Sequence, residues 1–481
     1  MKGQNGRRSS WTGVRLGDVV EPRETRNPSK EGPGQFLYVD IEAVDNGSQR
    51  ITSPKRIANT SAPSRARMAL RGGDVLFSLV RPYLKNIAIV PPELHGSVAS
   101  TAYCVLRPKE RVDSRFLFYQ LIQDNVINSV PTYGTSPPAA RDEEFLNTVI
   151  RMTTGPEQTR IADKLDELFS DLDAGVAALE RAKANLARYR AAVLKAAVEG
   201  NVTEQWRRER PNVEPAPELL KRILARRRNK WEEEQPKRQE APQRKPSKVL
   251  TGKYKEPAGP EDSGWNPPPK WTVTSLGQIA FFQNGRAFPS KEYSSEGAKL
   301  LRPGNLYADG SVRWTSKNTR YLPPQWQRDH PEYVVAGDEL IINLTAQSLA
   351  DEFLGRVCLT SHNELCLLNQ RLARITPLPG VRKRYLLYVL KSALFRRFVN
   401  GLNTGSLIQH MFTSDLHAFA FPLPPEDEQH EIVASIERIM SVVEVVASAI
   451  ATQEDRAKSL RQSVLAFAFA GGLSQNDGAT L

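Results

Sequence analysis

Cysteine is nearly missing: the chain has three in 481 residues, Cys104, Cys358 and Cys366. Three thiols exclude a disulfide framework, and Cys358 and Cys366 lack the CxxC spacing of a zinc site. All three read as small buried side chains of a reducing cytosol. Histidine is scarce too. His95, His330, His362, His410, His417 and His430 are scattered, with no HExxH pair and no metal-ligand spacing. No GxxxxGK[ST] phosphate loop occurs, since "TGKY" at 251–254 lacks the preceding glycine. The adjacent acids Asp338 and Glu339 would point to opposite faces of a strand. "NPPP", Asn266 to Pro269, is similar to the loop with which adenine methyltransferases hold an extruded base. Here Pro269 stands where an aromatic ring should stack, and no glycine-rich cofactor loop accompanies it. Long apolar runs are also lacking, none approaching the ~20 residues of a membrane span. The opening "MKGQNGRRSSW" has no apolar core, so no secretory signal and a cytoplasmic location are expected. The chain reads as non-catalytic.

What is present in excess is positive charge, +12 overall. A surplus of that size suggests nucleic acid, but its distribution weakens the inference. Between Arg207 and Glu256 there are 16 Lys/Arg against 8 Asp/Glu, so one segment holds eight of the twelve net charges. That segment includes "EEEQPKRQEAPQRKPSK" and reads as a solvated, largely disordered linker. The remainder is only mildly basic.

The chain also repeats itself. "AVLKAAVEGNV" (Ala192 to Val202) returns as "SVLAFAFAGGL" (Ser463 to Leu473) at an offset of 271, and Glu157–Gln158 returns as Glu428–Gln429 at the same offset. Between these points Ile161, Leu165, Leu168, Leu172, Leu179 and Val193 fall on Ile432, Ile436, Ile439, Val443, Ile450 and Val464. Upstream, "VDSRFLFYQL" matches "VRKRYLLYVL" at 269, "GDVLFSL" matches "GDELIIN" at 264, and "RLGDV" matches "SLGQI" at 260. The drift places small length changes in the earlier part of each copy. Chance does not hold six apolar positions in register across more than half a chain, so the chain is an internal duplication.

Each copy opens with a long stretch of mixed character. "DVLFSLV", "NIAIVPP", "ASTAYCVLRP", "DELIINL", "GRVCLT" and "RLARITP" have strand composition, while "SRFLFYQLIQDNVI" and "KRYLLYVLKSALFRRFV" have helical periodicity. The expected fold class is therefore α+β, with two mixed domains. Then comes a long helix whose apolar steps alternate between three and four, the seam of a coiled coil. About 43 residues at 1.5 Å each would make a rod of roughly 64 Å. Gly175 is expected to weaken the first helix, and Gly200 to end it. The second begins at "PPEDEQ", prolines then acids, which suit a helix's first turn. Each helix could pack on its own globule or on another chain. Antiparallel pairing of the two seams, with the globules at opposite ends, buries most.

Polar, aromatic and basic loop residues concentrate in both copies. The first offers Arg81, Tyr83, Lys85 and Asn86 in "LVRPYLKN", and Tyr133, Thr135 and Ser136 in "PTYGTS". The second offers Gln283, Asn284 and Arg286 in "QNGRAF", Asn343 and Gln347 in "NLTAQS", Asn369, Gln370 and Arg371 in "NQR", and Asn403 and Ser406 in "NTGS". Arg, Asn and Gln make bidentate contacts to base edges, while Lys, Ser and Thr suit phosphates. These are the candidate DNA-binding residues.

The duplicated layout, with "LPPEDEQHEIVASIERI", "RAAVLKAAVEGNVTEQWR", "LRQSVLAFAFAGGL", "LRPGNLYADGSV" and "GDVLFSLVRPYLKNIAIV", resembles the DNA specificity subunit of Type I restriction-modification systems over nearly the whole chain. The resemblance implies target recognition domains at 1–156 and 271–424, spacer helices at 157–200 and 425–472, a basic linker at 201–270 and a tail at 473–481. It implies that each domain reads half of a bipartite site in double-stranded DNA. The helices would fix the gap and help dock methyltransferase subunits, which restriction/translocase subunits then join. S-adenosylmethionine, ATP and Mg would sit on those partners, with no cofactor on this chain and no membrane partner. Because the loops differ between copies, the half-sites should differ too. A coiled-coil adaptor that binds only proteins is the competing reading, told apart by salt-dependent binding to duplex DNA. A stand-alone methyltransferase or nuclease would betray itself when the isolated chain meets a labelled methyl donor, or DNA and magnesium.

Overall fold

The drifting offset between the copies reappears in the hydrogen bonds. In the computed structural model, which describes residues 11–134, 136–240 (backbone only at 234–240), 254–260, 265–347, 352–402 and 409–473, Thr12–Arg15 pairs antiparallel with Val149–Met152. Thr272–Ser275 pairs in the same way with Ala420–Leu423. The first strands of these pairs keep the offset of 260 and the second strands that of 271. A helical turn then starts identically in each copy: Leu16 N donates to the Thr148 carbonyl at 2.9 Å and Leu276 N to that of Phe419 at 2.8 Å.

The chain divides into two units, Met1–Ala182 with Ala449–Leu481, and Lys183–Ser448. In the first, Val75–Ser78 is the buried centre of an antiparallel sheet between Tyr103–Leu106 and Ile87–Ile89. A second sheet orders Lys55–Ala58, Gln35–Val39, Val98–Ser100 and Ala66–Ala69. In the second unit, Ala280–Asn284, Leu372–Pro377, Leu340–Asn343 and Val357–Leu359 form one antiparallel sheet, beside a smaller mixed one. Apolar faces of Ser114–Leu121 and Lys383–Lys391 close the respective cores with Phe116, Leu117, Tyr385 and Leu386. The three cysteines are buried, and burial pushes the Cys358 thiol up to about 12.

Two helices of 44 residues, Gly155–Val198 and Glu426–Phe469, follow the strands. Their pairing is antiparallel wherever it is seen within a unit. In the first unit Arg160 bonds the Leu473 carbonyl and Asp173 pairs with Arg461, one number rising as the other falls. In the second, Thr203 and Arg207, just past the end of the first helix, bond Glu428 near the start of the second. Seam residues Ile161, Leu165, Val193, Ile432, Ile436, Val443 and Ile450 are buried. Leu168, Leu172, Leu179, Ile439 and Val464 are half-buried, as expected where a two-helix seam covers one side only. Val442 and Val445 on the second helix are exposed.

A glutamine clamp joins each helix to its globule. Gln158 Oε1 accepts from the Asp113 amide at 3.1 Å, and its Nε2 donates to the Thr153 carbonyl at 2.8 Å. Gln429 Oε1 accepts from the Arg382 amide at 2.8 Å, and its Nε2 donates to the Pro424 and Gly380 carbonyls at 3.2 and 3.1 Å. Both side chains are buried. The Glu–Gln pair is visible in the sequence as a repeat; the glutamine's role is a main-chain fitting.

One expectation is refined and another corrected. The first long helix runs unbroken through Gly175, which weakens it without breaking it. A Cβ there would meet nothing within 4 Å, so Gly175→Ala is expected to stabilise the protein by about 1 kcal/mol. Scanning calorimetry should show a rise of about 2–4 °C in the unfolding midpoint. The linker is not a plain tether either. Glu204–Glu209 and Ala216–Glu240 are helical, and Ala216, Leu219 and Ile223 are fully buried, the last two within the second unit's core. Further along, Arg227 donates to the Ala280 carbonyl at 3.0 Å and lies over the Phe281 ring. Charge and proline counting masked the apolar spacing of Leu219, Leu220, Ile223 and Leu224. Of "EEEQPKRQEAPQRKPSK", the part from Ala241 onward lies outside the described residues.

Candidate nucleic-acid interface

In each unit the fold brings together segments that lie far apart in sequence. In the first unit, Val80 and Tyr133 both bridge Ala139. Arg81 N donates to the Pro138 carbonyl at 2.9 Å, and Ala140 N to that of Leu79 at 2.7 Å. "LVRPYLKN" and "PTYGTS" therefore share one surface. Arg81 sits at a positive φ of 50°, and among the described residues its guanidinium has no carboxylate partner. Tyr83 is 58 % exposed and Tyr133 46 %. Tyr133 donates to Glu144 at 3.0 Å, a bond that raises the phenol's pKa, and the Arg141 guanidinium lies 4.4 Å from its ring centre. Lys85 pairs with Asp124 at 2.7 Å. Ser136 is exposed, while Thr135 lies outside the described residues. Asn86 is buried, so its reading as a surface contact is corrected: it belongs to the turn before Ile87–Ile89.

In the second unit, "QNGRAF" and "NQR" meet. Gly285 N donates to the Leu372 carbonyl at 2.9 Å, Arg286 N to Leu368 at 3.0 Å, and Gln370 N to Arg286 at 2.9 Å. Only glycine fits at 285, because a Cβ would lie 2.1 Å from the Asn369 oxygen. Asn284, Gln370 and Arg371 are exposed, and Asn369 accepts from the Arg371 amide at 3.2 Å. Gln283 is engaged by Arg374 and by the Glu332 carbonyl. Gln347 is exposed just past Thr345–Ala346, which pairs with Gln409–His410. Met411 N bonds the Leu344 carbonyl at 3.0 Å, as Ala140 bonds Leu79 in the first unit. Asn403 and Ser406 lie outside the described residues. Asn343 is fully buried, its Nδ2 donating to the Thr345 and Phe353 carbonyls at 2.8 and 2.9 Å. It staples a loop and does not face solvent, which corrects the sequence expectation.

Sequence reasoning missed the rings beside Arg286. Its guanidinium carbon lies 5.6 Å from the Trp326 ring centre and 6.0 Å from that of Tyr333, and His330 stacks on Trp326 at 5.2 Å. These rings come from "QWQRDHPEY", well downstream, and no local signal ties that stretch to Arg286. Among the described residues no group of three or more His, Cys, Asp or Glu could hold a metal ion, and no helix is long and apolar enough to cross a membrane.

The family described as Type I restriction modification DNA specificity domain matches residues 8–181 and 268–450, one match per copy. The EcoAI specificity subunit of Escherichia coli, a Type I restriction enzyme component, is 28% identical over 283 residues. That alignment covers 58% of this chain and 42% of the relative's length. The MjaVIII specificity subunit of Methanocaldococcus jannaschii is 21% identical over 445 residues, 90% of this chain and 87% of its own. A chain solved in work on complex assembly and conformational transition of the type I R-M system aligns with a TM-score of 0.65 and 27% identity. It covers 95% of this chain and 97% of that one. With two copies of the family's domain on one duplicated framework, and homologues named as specificity subunits, this chain belongs to the non-catalytic DNA specificity subunits of Type I restriction-modification systems.

Proposed function

We propose that the chain reads two different half-sites of double-stranded DNA separated by a fixed gap, and that it docks methyltransferase and restriction subunits. Those partners would carry S-adenosylmethionine, ATP and Mg. The observation that carries the reading is the pair of assembled surfaces. One presents Arg81, Tyr83 and Tyr133, the other Asn284, Arg286, Gln370 and Arg371, each set gathered from remote segments by backbone hydrogen bonds. Arginine and amide side chains held on a stiff backbone suit base edges. Different side chains in the two sets call for different bases, hence an asymmetric target.

The test is to co-express the chain with its methyltransferase subunit and sequence the host methylome. Adenine methylation within one split, asymmetric motif is expected. Shortening both long helices by matched heptads should change the gap and leave each half-motif intact. Methylation without a split motif would overturn the proposal. A protein-only adaptor would show no salt-dependent binding to duplex DNA.

A further inference from the structure

Arg286 is mounted in an unusual way for a surface arginine. Its Nε is buried and has no hydrogen-bond partner among the described residues. No carboxylate lies within ion-pairing reach among the described residues, although Glu292 and Glu332 belong to the same cluster. Glu292 is taken by the Trp326 indole N–H at 2.8 Å, and Glu332 faces His330 at 3.5 Å. The guanidinium instead rests within about 6 Å of two aromatic rings, at the outer range of cation–π attraction. Its main chain is pinned on both sides by the 368–370 segment. The Nη groups make no bond among the described residues. The result is a stiff fork of donors, aimed by rings rather than neutralised by an acid.

We propose that Arg286 reads a guanine in the half-site of the second recognition domain, donating end-on from both Nη groups to O6 and N7, and that Trp326 and Tyr333 hold it in that pose. The inference rests on the DNA-reading function proposed above and deepens it. A phosphate contact would need only a charge, which a mobile lysine supplies. A planar fork with fixed direction matches the paired acceptors that guanine alone presents in the major groove. Asn284 and Gln370, exposed on either side, offer further base-edge contacts.

The experiment compares wild-type chain, Arg286→Lys, Arg286→Ala and Tyr333→Leu, each co-expressed with the methyltransferase subunit, with thermal melts confirming folding. Motifs come from methylome sequencing, and affinities from duplexes varied one base pair at a time. In both arginine variants one G·C pair in one half-site should become degenerate, discrimination there falling about tenfold to a hundredfold, while the other half-site stays strict. Tyr333→Leu should relax the same pair partially. An unchanged motif in folded Arg286→Lys and Arg286→Ala would overturn the inference and leave the split-site function standing. A uniform loss of binding, with full discrimination and a salt slope shallower by about one, would mark a phosphate contact and also overturn it. Methylation lost at every site by a variant that still assembles would do the same. A wild-type chain that yields no split motif refutes the underlying function itself.

Discussion

Glu428→Ala is expected to destabilise the second unit by about 3–5 kcal/mol, the usual consequence of leaving a buried charge without its partner. Glu428 is fully buried. It accepts from the Thr203 hydroxyl at 2.7 Å, from the Trp271 indole N–H at 2.8 Å and from the Arg207 guanidinium. Those donors come from the segment after the first long helix and from the residue before the second domain's first strand. One carboxylate thus ties three chain segments at a single point. Truncation strands a guanidinium that is only 15 % exposed, together with an indole and a hydroxyl. Glu428→Gln, which keeps the shape and one acceptor, should cost roughly half as much. The control is the matching position of the first copy. Glu157 pairs with Arg160 one turn away on the helix surface, so Glu157→Ala should change stability by less than about 1 kcal/mol. Hydrogen exchange resolved by segment, on the full chain, separates the two units. If Glu428→Ala and Glu157→Ala fell within error of each other, the buried tie would be refuted.

The double change Leu219→Ala/Ile223→Ala should release the linker helix from the second unit. Each truncation of a fully buried aliphatic typically costs about 2–5 kcal/mol, and because the two residues are neighbours their effects will not simply add. The receiving surface is specific. Gly380 has φ +103, and a Cβ on it would lie 2.8 Å from Leu219 Cδ1 and 3.5 Å from Ile223 Cγ1. The Ala216 amide also donates to the Lys270 carbonyl at 2.8 Å. Limited proteolysis should show new cleavage around residues 216–233, with a lowered melting midpoint. A solvated tether would give the same cleavage pattern and midpoint with or without the two alanines.

That linker marks where the sequence stopped being legible. The duplication could be read from six aligned apolar positions, and with it the two long helices and the α+β class, because periodicity and register are local properties. The strands followed from β-branched runs between Gly and Pro. The linker failed because its sixteen cations outweighed four apolar residues at helical spacing. Within the candidate interface, residue type was the only clue, and type cannot separate Asn284, exposed, from Asn343, sealed inside the core. The meeting of "QNGRAF" with "NQR" needs a sheet to carry both, and the rings beside Arg286 arrive from a third stretch. Contacts of that kind are written in the tertiary fold, not in any window of the chain.

The glutamine clamps carry a consequence for how such a chain can change over generations. Among the described residues each grips its globule only through peptide groups, an amide from Asp113 or Arg382 and carbonyls from Thr153, Pro424 and Gly380. Aspartate and arginine are opposite in charge, yet they serve the same coupling. A joint blind to side chains acts like a standard bayonet mount: the reading head above it is free to be rewritten, or exchanged for an unrelated one, while the shaft beneath stays as it was.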